Sequence, residues 1–354
     1  MRQIYPKQSK NIIIRKIGRM ARIRQKPSDI FGKKMANIRQ HSPPTPSIST
    51  HLRNFLNSNN TKTLLIKFLH GLGDCIDYSI VIKHLKDKYP DLKIKVIANE
   101  GSHWAFYKIA DNFQSINNYS VDDLNEFLFI EDFNYPSEIW TSLPSSKVTH
   151  TLVHNYGLEP KLELYYPTFT PTDEAIKMVD ELQIHKPFVV LNYLGMTDLG
   201  RKDLTHEQAQ AICNYFIKQN YICVIADYEH QCPFADDKNF ITLYKNNIIW
   251  RNGPNCGILY ELIRRANLFI GIDSGPSHLA AATDTPSLII WKAEAAWHPG
   301  IGTNLDRNCI HFIPEEHITK YHFFIKHSNW RNYKSNKTLL AYILNYILGS
   351  SVVP

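Results

Sequence analysis

Leu268-Phe269-Ile270-Gly271-Ile272-Asp273-Ser274-Gly275-Pro276-Ser277-His278-Leu279-Ala280-Ala281-Ala282 decides the reading of this chain, with Pro286 and Leu288-Ile289-Ile290-Trp291 after it. The run 268–272 has the length and branching of a buried parallel strand. Asp273 to Pro276 then stop it. Gly275 allows φ > 0 or close backbone approach, and Pro276 suits the first helical turn, where a missing N–H costs nothing. Ser277 to Ala282 continue as helix, and 288–291 as the next strand. Free N–H groups and the positive end of the helix fall where the strand ends, a place suited to a phosphate, with Asp273 and His278 flanking it. Read alone, D-S-G-P is equally an ordinary strand-to-helix turn with Asp or Ser as N-cap.

Outward from this stretch, strand and helix alternate in two halves. Thr63 to Leu69 predicts a first strand, His70-Gly71-Leu72-Gly73-Asp74 a turn into a helix reaching about Tyr89, and Lys93 to Ala98 a second strand. Candidate strands follow near 127–130 and 149–153, in a region whose order the pattern does not give. A connector is expected at Pro167 to Pro171. Beyond a helix around 172–182, strands at 188–192, 221–226 and 240–243 alternate with helices at 205–219 and 258–266, Thr205-x-x-Gln208 having the form of a capping box. This predicts an α/β chain of two doubly wound, Rossmann-type domains facing a central cleft, with ligands beyond the strand C-termini. The domain plan is 1–60 basic arm and Pro/Ser linker, 61–168 acceptor-side domain, 169–335 nucleotide-sugar domain, and 336–354 a C-terminal helix placed to pack back on the first domain.

At 354 residues the chain exceeds what one core usually supports. Its net charge of +7 is uneven: residues 1–60 hold 13 Lys/Arg and one acid, Asp29, leaving 27 Lys/Arg and 32 Asp/Glu of the chain's 40 and 33 for the rest. A mildly acidic body argues against a nucleic-acid partner. No apolar run approaches the roughly 20 residues of a membrane span. Six cysteines without a C-x-x-C pair, and sixteen histidines without H-E-x-x-H, argue against a disulfide scaffold, a zinc finger or a catalytic metal. In the arm, Ile13, Ile17 and Met20 interleave with Arg15, Lys16, Arg19 and Arg22, the form of a basic amphipathic helix. Peripheral contact with an anionic membrane is expected there, and a tail without a partner is the plainer reading.

The run Asp273 to Ala282, followed by a proline and an apolar strand, resembles the donor-site motif of glycosyltransferase family 9, the ADP-heptose:lipopolysaccharide heptosyltransferases. The resemblance covers approximately 62–330. It implies a GT-B-like fold, a cytoplasmic enzyme, a nucleotide-sugar donor (ADP-heptose), an inverting displacement without a metal, and a glycan or protein hydroxyl as acceptor. The first loop, Gly71-Leu72-Gly73-Asp74, is similar to the family's opening Gly-Asp pair, which gives Asp74 the role of general base. Asp77-Tyr78-Ser79-Ile80 replace the small residues and proline that commonly follow. Lys202 resembles the family's phosphate or sugar contact, although Leu204 and Thr205 stand where an aromatic and a proline are usual. Glu229, in Asp227-Tyr228-Glu229-His230, takes the place of the nucleoside-binding acid. Asp273, Ser274, Gly275 and His278 complete the implied donor site. Surface roles for Lys202 and Glu229, and a plain cap for Asp74, remain open at this stage. So does a nucleotide-sugar-binding protein without transferase activity, prompted by the departures at 77–80 and 204–205.

Overall fold

The computed structural model describes residues 48–58, 62–118, 127–131, 133, 147–195, 202–227, 232–236, 238–243, 245–246, 248, 253–290 and 309–312. The arm up to residue 47, Glu229, Trp291 and the expected C-terminal helix at 336–354 lie outside them.

A helix α1 (Ile48–Asn57) precedes the first sheet. Its strands are β1 (Thr63–Phe68), β2 (Lys93–Ala98), β3 (Asn112–Ser115) and β4 (Phe127–Ile130), all parallel, in the order β3-β2-β1-β4. Between β1 and β2 runs α2 (Leu72–Lys88), ended by Tyr89 just before Pro90. Leu52 and Leu56 of α1 are buried with Leu64, Ile66 and Phe68 of β1, so the packed body includes residues assigned from sequence to the arm.

The segment 149–153, expected as strand, is helical: α3 (Lys147–His150) runs into a π-helical turn at Thr151–Tyr156. Val148, Leu152 and Tyr156, four residues apart, are buried there on one helix face, a spacing that a period-two strand shares. Gly157, at φ +66°, ends it in the left-handed region that glycine adopts without strain.

The second sheet has six parallel strands in the order β10-β9-β8-β5-β6-β7. They are β5 (Phe188–Asn192), β6 (Ile222–Ile225), β7 (Phe240–Thr242), β8 (Leu268–Ile272), β9 (Ser287–Ile290) and β10 (Cys309–Phe312). The helices are α4 (Asp173–Glu181), α5 (His206–Ile217), α6 (Cys256–Arg265) and α7 (Gly275–Ala281). Alternate strand residues go to opposite faces, as the period of two requires. Val190, Val224, Phe269 and Ile289 join a core that also contains β1 and α2, whereas Val189, Leu191, Ile225, Ile270, Leu288 and Ile290 pack on the other side with Ile212 and Phe216 of α5. Covered faces explain why these strands read as unbroken apolar runs. The fold is thus GT-B-like, with two Rossmann-type halves.

In each sheet the strand order reverses beside its central strand, between β1 and β4 and between β5 and β8. Such reversals leave a crevice beyond the strand C-termini. No helix among the described residues is long and apolar enough to cross a membrane.

The capping box read at Thr205 is present: its Oγ1 accepts from the Gln208 amide at 3.2 Å, and Gln208 Oε1 accepts from the Thr205 amide at 2.9 Å. Thr205→Ala is expected to lower stability by about 1 kcal/mol, read as a reduced denaturant midpoint at unchanged slope.

Candidate functional site

Both reversal points carry polar side chains that tie neighbouring strands together. Asn192, the last residue of β5, accepts from Ser274 Oγ at 2.7 Å through its Oδ1. Ser274 occupies the N-cap position of α7, yet its side chain makes no cap hydrogen bond. The plain cap reading of Ser274 therefore does not hold. Ser274 instead fixes the turn after β8 against the end of β5. In the first sheet, His70 follows β1 and lies 3.4 Å, through Nε2, from the backbone oxygen of Glu131, the residue after β4.

Asp74 stands in the first turn of α2, whose N-cap position is held by Gly71. Its Oδ1 accepts from Lys147 Nζ at 2.7 Å, and its Oδ2 lies 3.7 Å from His70 Nδ1. Lys147 comes from the start of α3, is almost fully buried, and also sits 5.5 Å over the Phe133 ring. Lys147 escaped the sequence reading because it lies in the irregular stretch 100–165, where no periodic signal marks a site. Gly71 faces open space, since an added Cβ would meet nothing within 4 Å.

At the turn after β8, Lys202 Nζ donates to Asp273 Oδ2 at 2.6 Å. Asp273 is 5% exposed and Lys202 17%. Beside Lys202, the Leu204 amide donates to the Tyr193 carbonyl at 3.0 Å and Asp203 Oδ1 accepts from the Gly195 amide at 2.6 Å. Leu204 is buried and Thr205 caps α5, so both departures from the family pattern there have structural work. Gly275 opens α7 with ordinary contact to α2: a Cβ on it would stand 3.4 Å from that of Leu72.

His278, on α7, packs against the first turn of α2. A Cβ on Gly73 would fall 2.5 Å from His278 Cδ2 and 2.8 Å from Nε2, so only glycine lets the ring lie there. One turn further on, Asp77 Oδ1 lies 3.0 Å from His278 Nδ1, both side chains buried. Burial alone would push the imidazolium pKa down. The Asp77 charge and hydrogen bond, then the charges of Asp273 and Asp74, outweigh it and leave His278 above its ordinary value. One histidine thus feels carboxylates from both halves of the chain. Asp273, Ser274, Gly275, His278 and Lys202 come together around the α7 turn, and Gly73 and Asp74 adjoin them from α2.

The residues after Asp77 also have partners. Tyr78 donates to Glu131 Oε2 at 2.9 Å, Tyr156 lies 3.2 Å from the same oxygen, and Asn155 Nδ2 donates to Oε1 at 2.8 Å. Burial and the Glu131 charge hold both phenols far up, so they remain donors to the carboxylate. Ser79 Oγ accepts from the Thr168 amide at 2.9 Å, linking α2 to the connector. Among the described residues no three His, Cys, Asp or Glu side chains gather as a metal site.

Residues 257–308 match the family model "Glycosyltransferase family 9 (heptosyltransferase)". No curated protein sequence matches the chain. The structure of a glycosyl transferase family 9 protein from Veillonella parvula DSM 2008 superposes with a TM-score of 0.51 at 13% identity, covering 82% of this chain and 98% of that one. ADP-heptose lps heptosyltransferase II of E. coli superposes with a TM-score of 0.56 at 12% identity, covering 81% and 99%. At such identities the likeness carries the fold. The family match, which spans α6, β8, α7 and β9, bears out the resemblance read from Asp273 to Ala282 and the glycosyltransferase class with it.

Gly73→Ala sets two effects against each other. Alanine improves helix propensity by up to about 1 kcal/mol, whereas a Cβ forced into the His278 ring costs about 1–3 kcal/mol in a packed contact. The 2.5 Å approach favours the second, and net destabilisation by chemical denaturation is the expected outcome.

Proposed function

We propose that this chain transfers a sugar from a nucleotide-sugar donor, ADP-heptose by family likeness, to a hydroxyl of a glycan or protein acceptor with inversion. The E. coli neighbour is an ADP-heptose lps heptosyltransferase, which supports the choice of donor. The observation that carries the reading is the meeting of the α7 turn with the first turn of α2, which brings Lys202, Asp273 and His278 beside Asp74. Asp74 takes the acceptor proton as the acceptor oxygen bonds to the anomeric carbon. The bond from that carbon to the diphosphate breaks, and its electron pair leaves with the nucleoside diphosphate. Lys202, His278 and the N-terminus of α2, a helix of 17 residues, supply positive potential for the leaving group. Asp273, Ser274 and Gly275 shape the donor turn, and Glu229 is assigned to the nucleoside by resemblance. Lys147 holds Asp74 in place. No metal has a role in this reading. The rival, a sugar-nucleotide-binding protein without turnover, rested on departures whose residues pack or hydrogen-bond within the fold.

Asp74→Asn is expected to leave ADP affinity by calorimetry within a few-fold of wild type, while sugar transfer followed by mass spectrometry falls about 10²-fold or more. Wild-type ADP binding with no transfer to any hydroxyl acceptor would favour the rival.

The arm's cations and interleaved isoleucines support peripheral contact with an anionic membrane, each Lys or Arg adding about 1 kcal/mol near such a surface. Because Leu52 and Leu56 belong to the core, the truncation that tests this removes residues 1–47. Full-length protein is expected to sediment with anionic vesicles in a salt-sensitive way, and the truncated form to remain in solution while still binding ADP. Equal sedimentation of the two forms would remove the anchor.

A further inference from the structure

The tetrad 77–80 departs from the family pattern at the point where α2 meets the donor half, and its first residue makes a contact that the transfer reaction does not itself call for. Asp77 is buried and lies one turn inside a helix, where no cap needs an acid. Its Oδ1 is 3.0 Å from His278 Nδ1. Gly73, four residues earlier on the same helix face, leaves room for the other edge of the ring, with Nε2 beside the first turn of α2.

We propose that Asp77 is a positioning residue: it holds His278 Nδ1–H, so that the ring is kept as an imidazolium and presents Nε2–H, at the first turn of α2, to the donor's diphosphate. This rests on the transferase reading above for the identity of the ligand, though not for the coupling of the two residues.

The surroundings of His278 single out Asp77. From α2 come Asp74 and Asp77, and from the turn after β8 comes Asp273. Asp74 is already paired with Lys147 and Asp273 with Lys202. On α6, the other helix packed on α7, Glu261 is paired with Arg264 and Arg265, and Arg265 also reaches Asp180 of α4. β8 and β9 bear no charged residue. Asp77 is therefore the carboxylate in direct contact with His278, and the raised pKa of the imidazole has its local source there. An imidazolium offers a charged donor, whereas a neutral ring with Nδ1–H on Asp77 would leave Nε2 as an acceptor facing an anion. The sign follows from the direction of the shift. The pair is fully formed below the ordinary histidine pKa and is lost as pH rises through the raised one.

The test uses the full chain with isotope-labelled histidine, the His278 resonance being assigned by its loss in His278→Gln. In the wild type, His278 is expected to keep its proton to above about pH 6.5, and in Asp77→Asn to lose it at least about one pH unit lower. ADP binding by calorimetry is expected to be about tenfold weaker in Asp77→Asn at about pH 7.5, the gap narrowing toward about pH 5.5 as the variant's ring regains its proton. In the His278→Gln background, Asp77→Asn is expected to change ADP affinity no further. A loss equal at both pH values, or identical His278 titrations, would overturn the proposal, since a purely structural acid lowers affinity without a pH signature. Should Asp77→Asn not fold, the wild-type titration decides, because a His278 that deprotonates below the ordinary histidine value overturns the proposal unaided. Wild-type protein that binds no ADP at any pH would instead count against the donor reading, with the titration still deciding the Asp77–His278 coupling.

Discussion

The close approach of α2 and α7 is the constraint on which the site depends. Two helices from different sheets meet at their first turns, and the distance is set by a missing Cβ at Gly73 and by the imidazole that fills its place. Polar groups so enclosed need partners, because an unmatched buried charge costs several kcal/mol. His278 finds one on the same helix that makes room for it. Sterics and electrostatics therefore select the same geometry.

This contact is effective because both sheets reverse their strand order at the edge where it occurs. β1 and β5 each begin their half and each lie centrally, so the turns after them, and after their neighbours β4 and β8, open on one crevice per sheet. Ser274 bridging to Asn192, and His70 reaching the Glu131 backbone, are the same solution applied twice. A side chain from one strand end closes the gap to the adjacent one.

How far the sequence reveals this depends on the range of the interaction involved. Strands buried on both faces, the Thr205 capping box and the turn at Asp273 to Pro276 are local patterns, and all are legible. The stretch 147–156 is not. Its helix is short and partly π-type, and its apolar spacing over so few residues also fits a strand. Lys147 was missed for that reason, although it contacts Asp74. Asp77, Tyr78 and Ser79 were visible only as departures. Their partners, His278, Glu131 and Thr168, lie 201, 53 and 89 residues away, so nothing local announces them. What looked like loss of a motif is a buried polar network tying α2 to α7, to the end of β4 and to the connector.

The charges of the site also have an order in depth. Asp74 meets Lys147, Asp273 meets Lys202, and Asp77 meets His278, each carboxylate against a cation from a different element. Matched in this way, the cluster avoids isolated buried charge, and removing any one member would strand its partner. The three pairs are not equivalent. Asp74 is 21% exposed and Lys202 17%, whereas Asp77 and His278 are 4% and 9%. Water screens the first two pairs at their outer ends, where an arriving ligand can exchange with it. The third pair lies in lower dielectric, where a neighbouring charge acts more strongly on a proton. The charge of Asp77 therefore acts more strongly on the His278 ring than the screened charges do at the outer pairs.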